Sequence, residues 1–235
     1  MNSGKDRKWY KSGQLESEYS YTDGVQDGVN KRYHENGQLS LEQTYKMMYQ
    51  IGVSRSWNED GLLLESTNYN NNGKLDGLEI KWSVTEINIR KRSSEIMWEI
   101  GPSGYSQKKY SKSWHVDVWN DISEGEFGQL AEEIHYIDGQ ENGKNKAWAP
   151  NGQIIRDCIK KNHDPTGPYK EWYNNGQIKI DGNYLEPSGP GVWVKDGMWK
   201  EWWENGIMNI DSKYDKGNVL YYKRWERDGI LLEER

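Results

Sequence analysis

One cysteine, one phenylalanine and six prolines stand among 235 residues. A single thiol, Cys158, excludes an internal disulfide framework. No apolar run approaches the ~20 residues of a membrane-spanning helix. No signal-peptide pattern follows Met1, and no N-x-[ST] sequon occurs. These absences predict a soluble chain that stays in the cytoplasm. A basic surplus is missing too: 31 Lys and Arg face 37 Asp and Glu, a net charge of −6. That argues against a general nucleic-acid binder, which needs cations to displace counterions. Core-forming residues are also short. Leu, Ile, Val and Phe make only 40 of the 235 residues, a proportion typical of disordered chains.

Aromatics reverse that last reading. The chain holds 13 Trp and 16 Tyr, and disordered segments are poor in such residues. Trp and Tyr join a large apolar body to a polar tip, which suits a thin, half-wet structure rather than a thick core. Their placement is periodic. "KEWYNNGQIKIDGNY" (170–184) returns as "KEWWENGIMNIDSKY" (200–214), and related stretches begin at Arg7, Lys31, Arg55, Lys146 and Lys223. Each carries a turn glycine: Gly13, Gly37, Gly61, Gly152, Gly176, Gly206 and Gly229, most of them 24 residues apart. A partial unit hangs on Gly128.

Positions are counted from that glycine. Position −4 is Trp or Tyr, from Trp9 and Tyr33 to Trp225; position −6 is Lys or Arg. Position +2 is aliphatic or Met, +5 is mostly acidic, and +8 is usually Tyr. A second glycine often stands at −9. Asn-Gly and Asp-Gly supply the positive φ of a tight hairpin turn, and the following arm alternates with period two. Each unit therefore reads as a β-hairpin. A two-residue loop pairs −6 with +5 and makes ion pairs. A three-residue loop with a glycine bulge pairs −4 with +2, setting Trp or Tyr against Leu or Ile. The second is favoured, because apolar burial outweighs exposed ion pairs worth ~0–1 kcal/mol. One hairpin cannot bury its own face, so the units must stack. The predicted fold is all-β: an elongated ribbon of stacked antiparallel hairpins of about 24 residues.

With [YW]-x-x-N-G-Q-[LI] followed by Tyr and by G-x-x-[KR]-x-[YW], the chain resembles the MORN (membrane occupation and recognition nexus) repeat variant over 7–82 and 124–235. The resemblance implies hairpin ribbons without catalysis. It also implies the antitoxin-like type found among bacterial members, or a scaffold.

The pattern fails in the middle. Three segments of one continuous array are expected: hairpins over 1–82, an irregular β insertion over 83–123, and hairpins over 124–235. The insertion carries two basic runs that include Arg90, Arg92, Lys108 and Lys109. With position −3, they are the candidate partner-binding residues. Position −3 varies while its neighbours stay fixed, and by alternation it faces outward. Variable outward residues on a repeating frame are where a partner is read. Tyr10, His34, Tyr173 and Trp203 stand there, the last two as a candidate aromatic patch. Isolated surface aromatics and a solvated basic strand are the plainer readings of the two sets.

"NYNNNGKLDGLE" (68–79) has the spacing of a calcium loop, but Asn68 stands where Asp is wanted, and its flanks read as strands. His34, His115, His135 and His163 show no metal-ligand spacing with one another or with Cys158, which reads as a small buried apolar group. Carboxylates recur with the repeat, as structural groups do, and only the insertion has room for a pair that breaks it, for instance Asp117 with His115. No enzyme, cofactor or metal site is expected. The expected function is protein binding, as an antitoxin or immunity-like protein or as a subunit of an assembly. A carbohydrate binder using Tyr173 and Trp203, or a peripheral binder of anionic lipid, are the alternatives.

Overall fold

The computed structural model describes residues 3–83, 98–100, 106–108, 129–186 and 188–235, with backbone alone for the two short middle stretches. Among them there is no helix. The strands of the first half are β1 (Ser3–Trp9), β2 (Leu15–Thr22), β3 (Val25–Gln26), β4 (Gly28–Tyr33), β5 (Leu39–Lys46), β6 (Tyr49–Trp57), β7 (Leu63–Tyr69) and β8 (Gly77–Ser83). A small hairpin of β9 (Trp98–Ile100) and β10 (Ser106–Lys108) follows. Then come β11 (Gln129–Ile137), β12 (Gln140–Trp148), β13 (Ile154–Lys161), β14 (Asp164–Trp172) and β15 (Ile178–Tyr184). β16 (Gly197–Trp202), β17 (Met208–Asp215), β18 (Asn218–Trp225) and β19 (Leu231–Glu234) complete the chain.

Seventeen of these strands form one open antiparallel sheet. Each longer strand pairs with the next in sequence, so the sheet is a meander of hairpins, as the repeat demands. β8 pairs directly with β11, with Trp82 opposite Leu130. That is the −4 to +2 pairing of every other unit. β8 and β11 are therefore the two arms of one hairpin, and residues 84–128 replace its turn. The rest of the expected insertion, apart from β9 and β10, lies outside the described residues.

Each tip has the three-residue loop. In the first, the Tyr10 N–H donates to the Gln14 carbonyl at 2.8 Å and the Gly13 N–H to the Tyr10 carbonyl at 3.0 Å. Gly13 has φ +88°, which explains the glycine. Trp9 then pairs with Leu15, but Lys8 pairs with Ser17 and Arg7 with Glu18. One residue, Glu16, is bulged out. The same shift follows the aromatic in every hairpin. The two registers weighed against each other thus coexist: the bulge at +3 permits the apolar pair and the ion pair on one strand.

Burial follows two stripes. On one face, Leu63, Ile80 and Trp82 form a core cluster, with Trp57, Leu78 and Leu130 against it. On the other, position −7 faces position +6: Ser54 opposite Thr67, Asn145 opposite Cys158, Trp199 opposite Ser212. All six are buried. The scarcity of Leu and Val is thereby explained, since small polar groups and single large rings fill much of the interior.

Candidate functional site

The Asn-Gly tips lie along one long edge of the ribbon, and the junction turns between hairpins lie along the other. The tip edge is stitched. Tyr10 Oη donates to the Tyr33 carbonyl at 2.8 Å, and His34 Nε2 reaches the Trp57 carbonyl at 2.9 Å. Tyr173 Oη donates to the Trp202 carbonyl at 2.9 Å, and Trp203 Nε1 to the Trp225 carbonyl at 3.1 Å. Position −3 therefore grips the backbone of the next unit's −4 residue. All four side chains are half-buried. The outward-facing array expected of them is corrected, because a ring with a polar far end spans to the neighbouring hairpin instead of to solvent. The turn asparagines repeat the device: Asn36, Asn151, Asn175 and Asn205 donate from Nδ2 to a carbonyl of the next tip.

Behind the tips runs a ladder of alternating charge. Through hairpins and junctions alike, Arg7 pairs with Glu18, Glu18 with Lys31, Lys31 with Glu42, and Glu42 with Arg55. The alternation resumes at Glu133 and runs through Lys146, Asp157, Lys170, Asp181, Lys200, Asp211 and Lys223 to Glu234. Ser66 opposite Ile80 is the break, in the unit whose tip is replaced. Contacts such as Lys31–Glu42 at 2.8 Å and Lys170–Asp181 at 3.1 Å are partly exposed, so each contributes ~0–1 kcal/mol. The Glu42 carboxylate beside Lys31 raises the lysine's pKa. Most carboxylates of the repeat are thus structural.

The same middle unit carries, on the opposite face, a charge cluster built around one buried carboxylate. Glu79 takes position −7 and is 6% exposed. Lys81 Nζ lies 3.1 Å from it and 3.4 Å from Glu132, and Tyr136 Oη donates to it at 3.3 Å. Burial, and then Glu79, push the Tyr136 phenol up to about 12, while burial raises Glu65. The charges of Glu79, Lys81 and Glu132 are satisfied by one another.

The junction edge differs in character. Among the described residues, 16 large apolar side chains are exposed; 12 lie there or on the adjoining stretches of strand, and the other four are Trp9, Ile230, Leu231 and Leu232 in the first and last hairpins. The interior tips contribute none. Met47 and Met48, about 70% exposed, form the β5–β6 turn with φ of +48° and +73°. The matching turns use Asp23-Gly24, Asp138-Gly139, Lys216-Gly217, and Asn162-His163 with φ of +51° and +74°. Two methionines in the left-handed region are strained as well as exposed. The sequence's signal for this edge was the apolar pair where every neighbouring turn is polar.

The remaining candidates resolve simply. In 68–79, Asn68 Nδ2 donates to the Asp76 carbonyl, and Asn70 Oδ1 accepts the Asn72 and Lys74 N–H groups. Those side chains hold a turn, and among the described residues no group of three or more His, Cys, Asp or Glu is placed to hold a metal. Cys158 is 1% exposed, and burial pushes its thiol up. Lys108 lies in β10, its backbone opposite Trp98. Arg90, Arg92, Lys109, His115 and Asp117 lie outside the described residues.

These features define the chain as an array of stacked β-hairpin repeats. The MORN repeat variant matches it at three places, residues 4–23, 26–47 and 165–186. Repeats of this kind point to a repeat-based binding or scaffold role. No curated protein sequence matches the chain. Among solved structures, a crystal structure of TcdB2-TccC3 matches at 10% identity and a TM-score of 0.16, covering 99% of this chain and 18% of that one. A crystal structure of TcdB2-TccC3-Cdc42 matches at 9% identity and 0.15, covering 99% and 17%. The chain thus spans less than a fifth of either, and at those scores the likeness carries no argument.

Proposed function

We propose that this chain is a non-enzymatic binding ribbon of the cytoplasm, which presents its junction edge to a protein partner. The observation that carries the reading is the asymmetry of the two edges. The tip edge spends its side chains on holding successive hairpins together. The junction edge leaves Met47, Met48, Tyr49, Trp193 and Leu220 exposed on a frame that the stitching fixes. Exposed apolar groups on a rigid support are the anchors of protein interfaces. An antitoxin or immunity protein and a subunit of a larger assembly both use such an edge. The first rescues growth against a toxic partner, and the second co-purifies in fixed stoichiometry with its assembly.

The test is affinity capture from lysate of the source cells with three baits. They are the wild-type chain, a rim variant (Met48→Lys with Leu220→Lys) and a tip variant (Lys11→Glu with Glu35→Lys). A stoichiometric protein retained by the wild type and the tip variant, and lost from the rim variant, is the expected result. Equal capture by all three, or no stoichiometric protein, overturns the reading.

A further inference from the structure

One junction is longer than its neighbours. Gly176 and Gly206 are 30 residues apart, where 24 is the rule, and the added residues form the loop before β16. That loop is pinned by its own contacts. Asp164 accepts the Trp193 Nε1–H at 2.8 Å and the Gly191 N–H at 3.0 Å. Its last part delivers Lys195, whose carbonyl accepts the Gly217 N–H at 2.9 Å. The ammonium of Lys195 sits 3.9 Å from the centre of the Trp199 ring and 5.5 Å from that of Tyr214. The Glu201 carboxylate lies 3.7 Å away.

The aromatic surroundings are local to this region. At −7, where the first four full hairpins place Asp6, Asn30, Ser54 and Asn145, the fifth and sixth place Tyr169 and Trp199, and the seventh Tyr222. Tyr184 meets the Trp199 ring edge-on at 5.0 Å between centroids. Gly182 lies beneath Trp199 so closely that a Cβ there would stand 2.1 Å from the ring. Trp199 is thus fixed from below, and Nε1 donates to Glu201 at 2.7 Å, which orients both. Two ring faces and a carboxylate around one cation form the geometry by which proteins hold organic ammonium groups. Burial holds the Lys195 pKa below its ordinary value, against the pull of Glu201.

We propose that Trp199, Tyr214 and Glu201 form a binding site for a small organic ammonium ion, and that Lys195 is its built-in competitor. The lengthened junction and the aromatic replacements occur together because the first supplies the plug and the second the socket. Displacement requires only that the Lys195 side chain swing into solvent, since the loop is anchored separately through Asp164. This site stands whether or not the junction edge binds a protein. An internal competitor weakens apparent affinity by the fraction of time that the site is free. If Lys195 is docked about nine-tenths of the time, its removal strengthens binding roughly tenfold.

The probe is tetramethylammonium, titrated by NMR into the whole chain. The wild type is expected to bind it, with the upfield-shifted Lys195 ε-methylene signals moving toward their free positions as it enters. Lys195→Ala is expected to bind roughly tenfold tighter, and Lys195→Ala with Tyr214→Ala weaker than either. The neutral near-isostere tert-butanol, of the same size and with no charge to meet the rings, is expected not to bind. Binding of the isostere equal to that of the ion overturns the proposal, as does equal affinity in wild type and Lys195→Ala. Should Lys195→Ala fail to fold, the wild-type titration decides: Lys195 signals that do not move refute displacement.

Discussion

Replacing Gly182 by alanine tests the packing most sharply. Its φ is not positive, so no backbone preference demands glycine there. What demands it is Trp199, whose Cε3, Cζ3 and Cδ2 atoms would lie 2.1, 2.5 and 2.7 Å from the new Cβ. Real carbon contacts are near 3.5–4.0 Å, so the ring must move by more than an ångström. It has little freedom: it is 2% exposed, its Nε1 is held by Glu201, and Lys195 lies on its other face. Overpacking of this kind costs about 1–3 kcal/mol. The loss of glycine flexibility from the unfolded chain returns about 0.4–1 kcal/mol. A net destabilisation of about 1.3 kcal/mol follows, or roughly 3–5 °C in Tm for a chain of this size. Because stacked repeats open locally, the decisive assay is hydrogen exchange followed by mass spectrometry. Amides of β15 and β16 are expected to exchange faster, and those of β4 to β6 to stay unchanged. Unaltered or slower exchange at β15 and β16 refutes the seating of Trp199 on Gly182.

Other outcomes follow from the same contacts. Met48→Gly relieves a left-handed methionine and is expected to stabilise the chain by about 1 kcal/mol in a thermal melt; a lower Tm contradicts the strain. The indole of Trp193 and the N–H of Gly191 depress the Asp164 pKa. That contribution is therefore complete above the unfolded value of about 3.9 and lost as pH falls through the lower folded one. The Trp193 indole N–H is expected to remain protected at pH 6 and to lose that protection only as pH falls through the lowered folded value; protection independent of pH argues against the carboxylate clamp. Cys158, buried at 1% exposure with its thiol pushed up, is expected to resist a maleimide in the native chain and to react on unfolding. Rapid native labelling removes the buried stripe between β12 and β13.

Much of this architecture was legible in the sequence, because the turn glycine, the −4 aromatic and the +2 aliphatic are each tied to a local requirement. The second bulge was legible in principle. Acids at +5 in every unit but that of Ser66, and aliphatics or Met at +2, both need partners, and only an extra residue at +3 satisfies both, where Glu16, Ser40, Leu64 and Lys179 show no shared character. Position −3 misled because variation looked like an exposed reading face. Tyr10, His34, Tyr173 and Trp203 differ in type yet share one property, a hydrogen-bond donor at the far end of a ring. That property matters only once the neighbouring tip is known to lie within reach. The hairpin of β8 and β11 was hidden by the distance between Trp82 and Leu130, which sequence spacing reads as separation and the sheet reads as adjacency. The socket around Lys195 was hidden for a similar reason: its parts come from a loop and two strands, and none alone breaks a rule.

The replaced tip between β8 and β11 has a consequence for how such ribbons acquire new parts. Both arms keep their pairing up to Ser83 and Gln129, so the backbone ladder of the sheet bears no trace of what is spliced between them. Any tip offers the same opening: closure entropy grows only slowly with loop length, and both arms are held by outer neighbours. Since all tips share one edge, cargo grafted at any of them departs from the side opposite the apolar rim. Material added at a tip therefore takes no room from the junction edge.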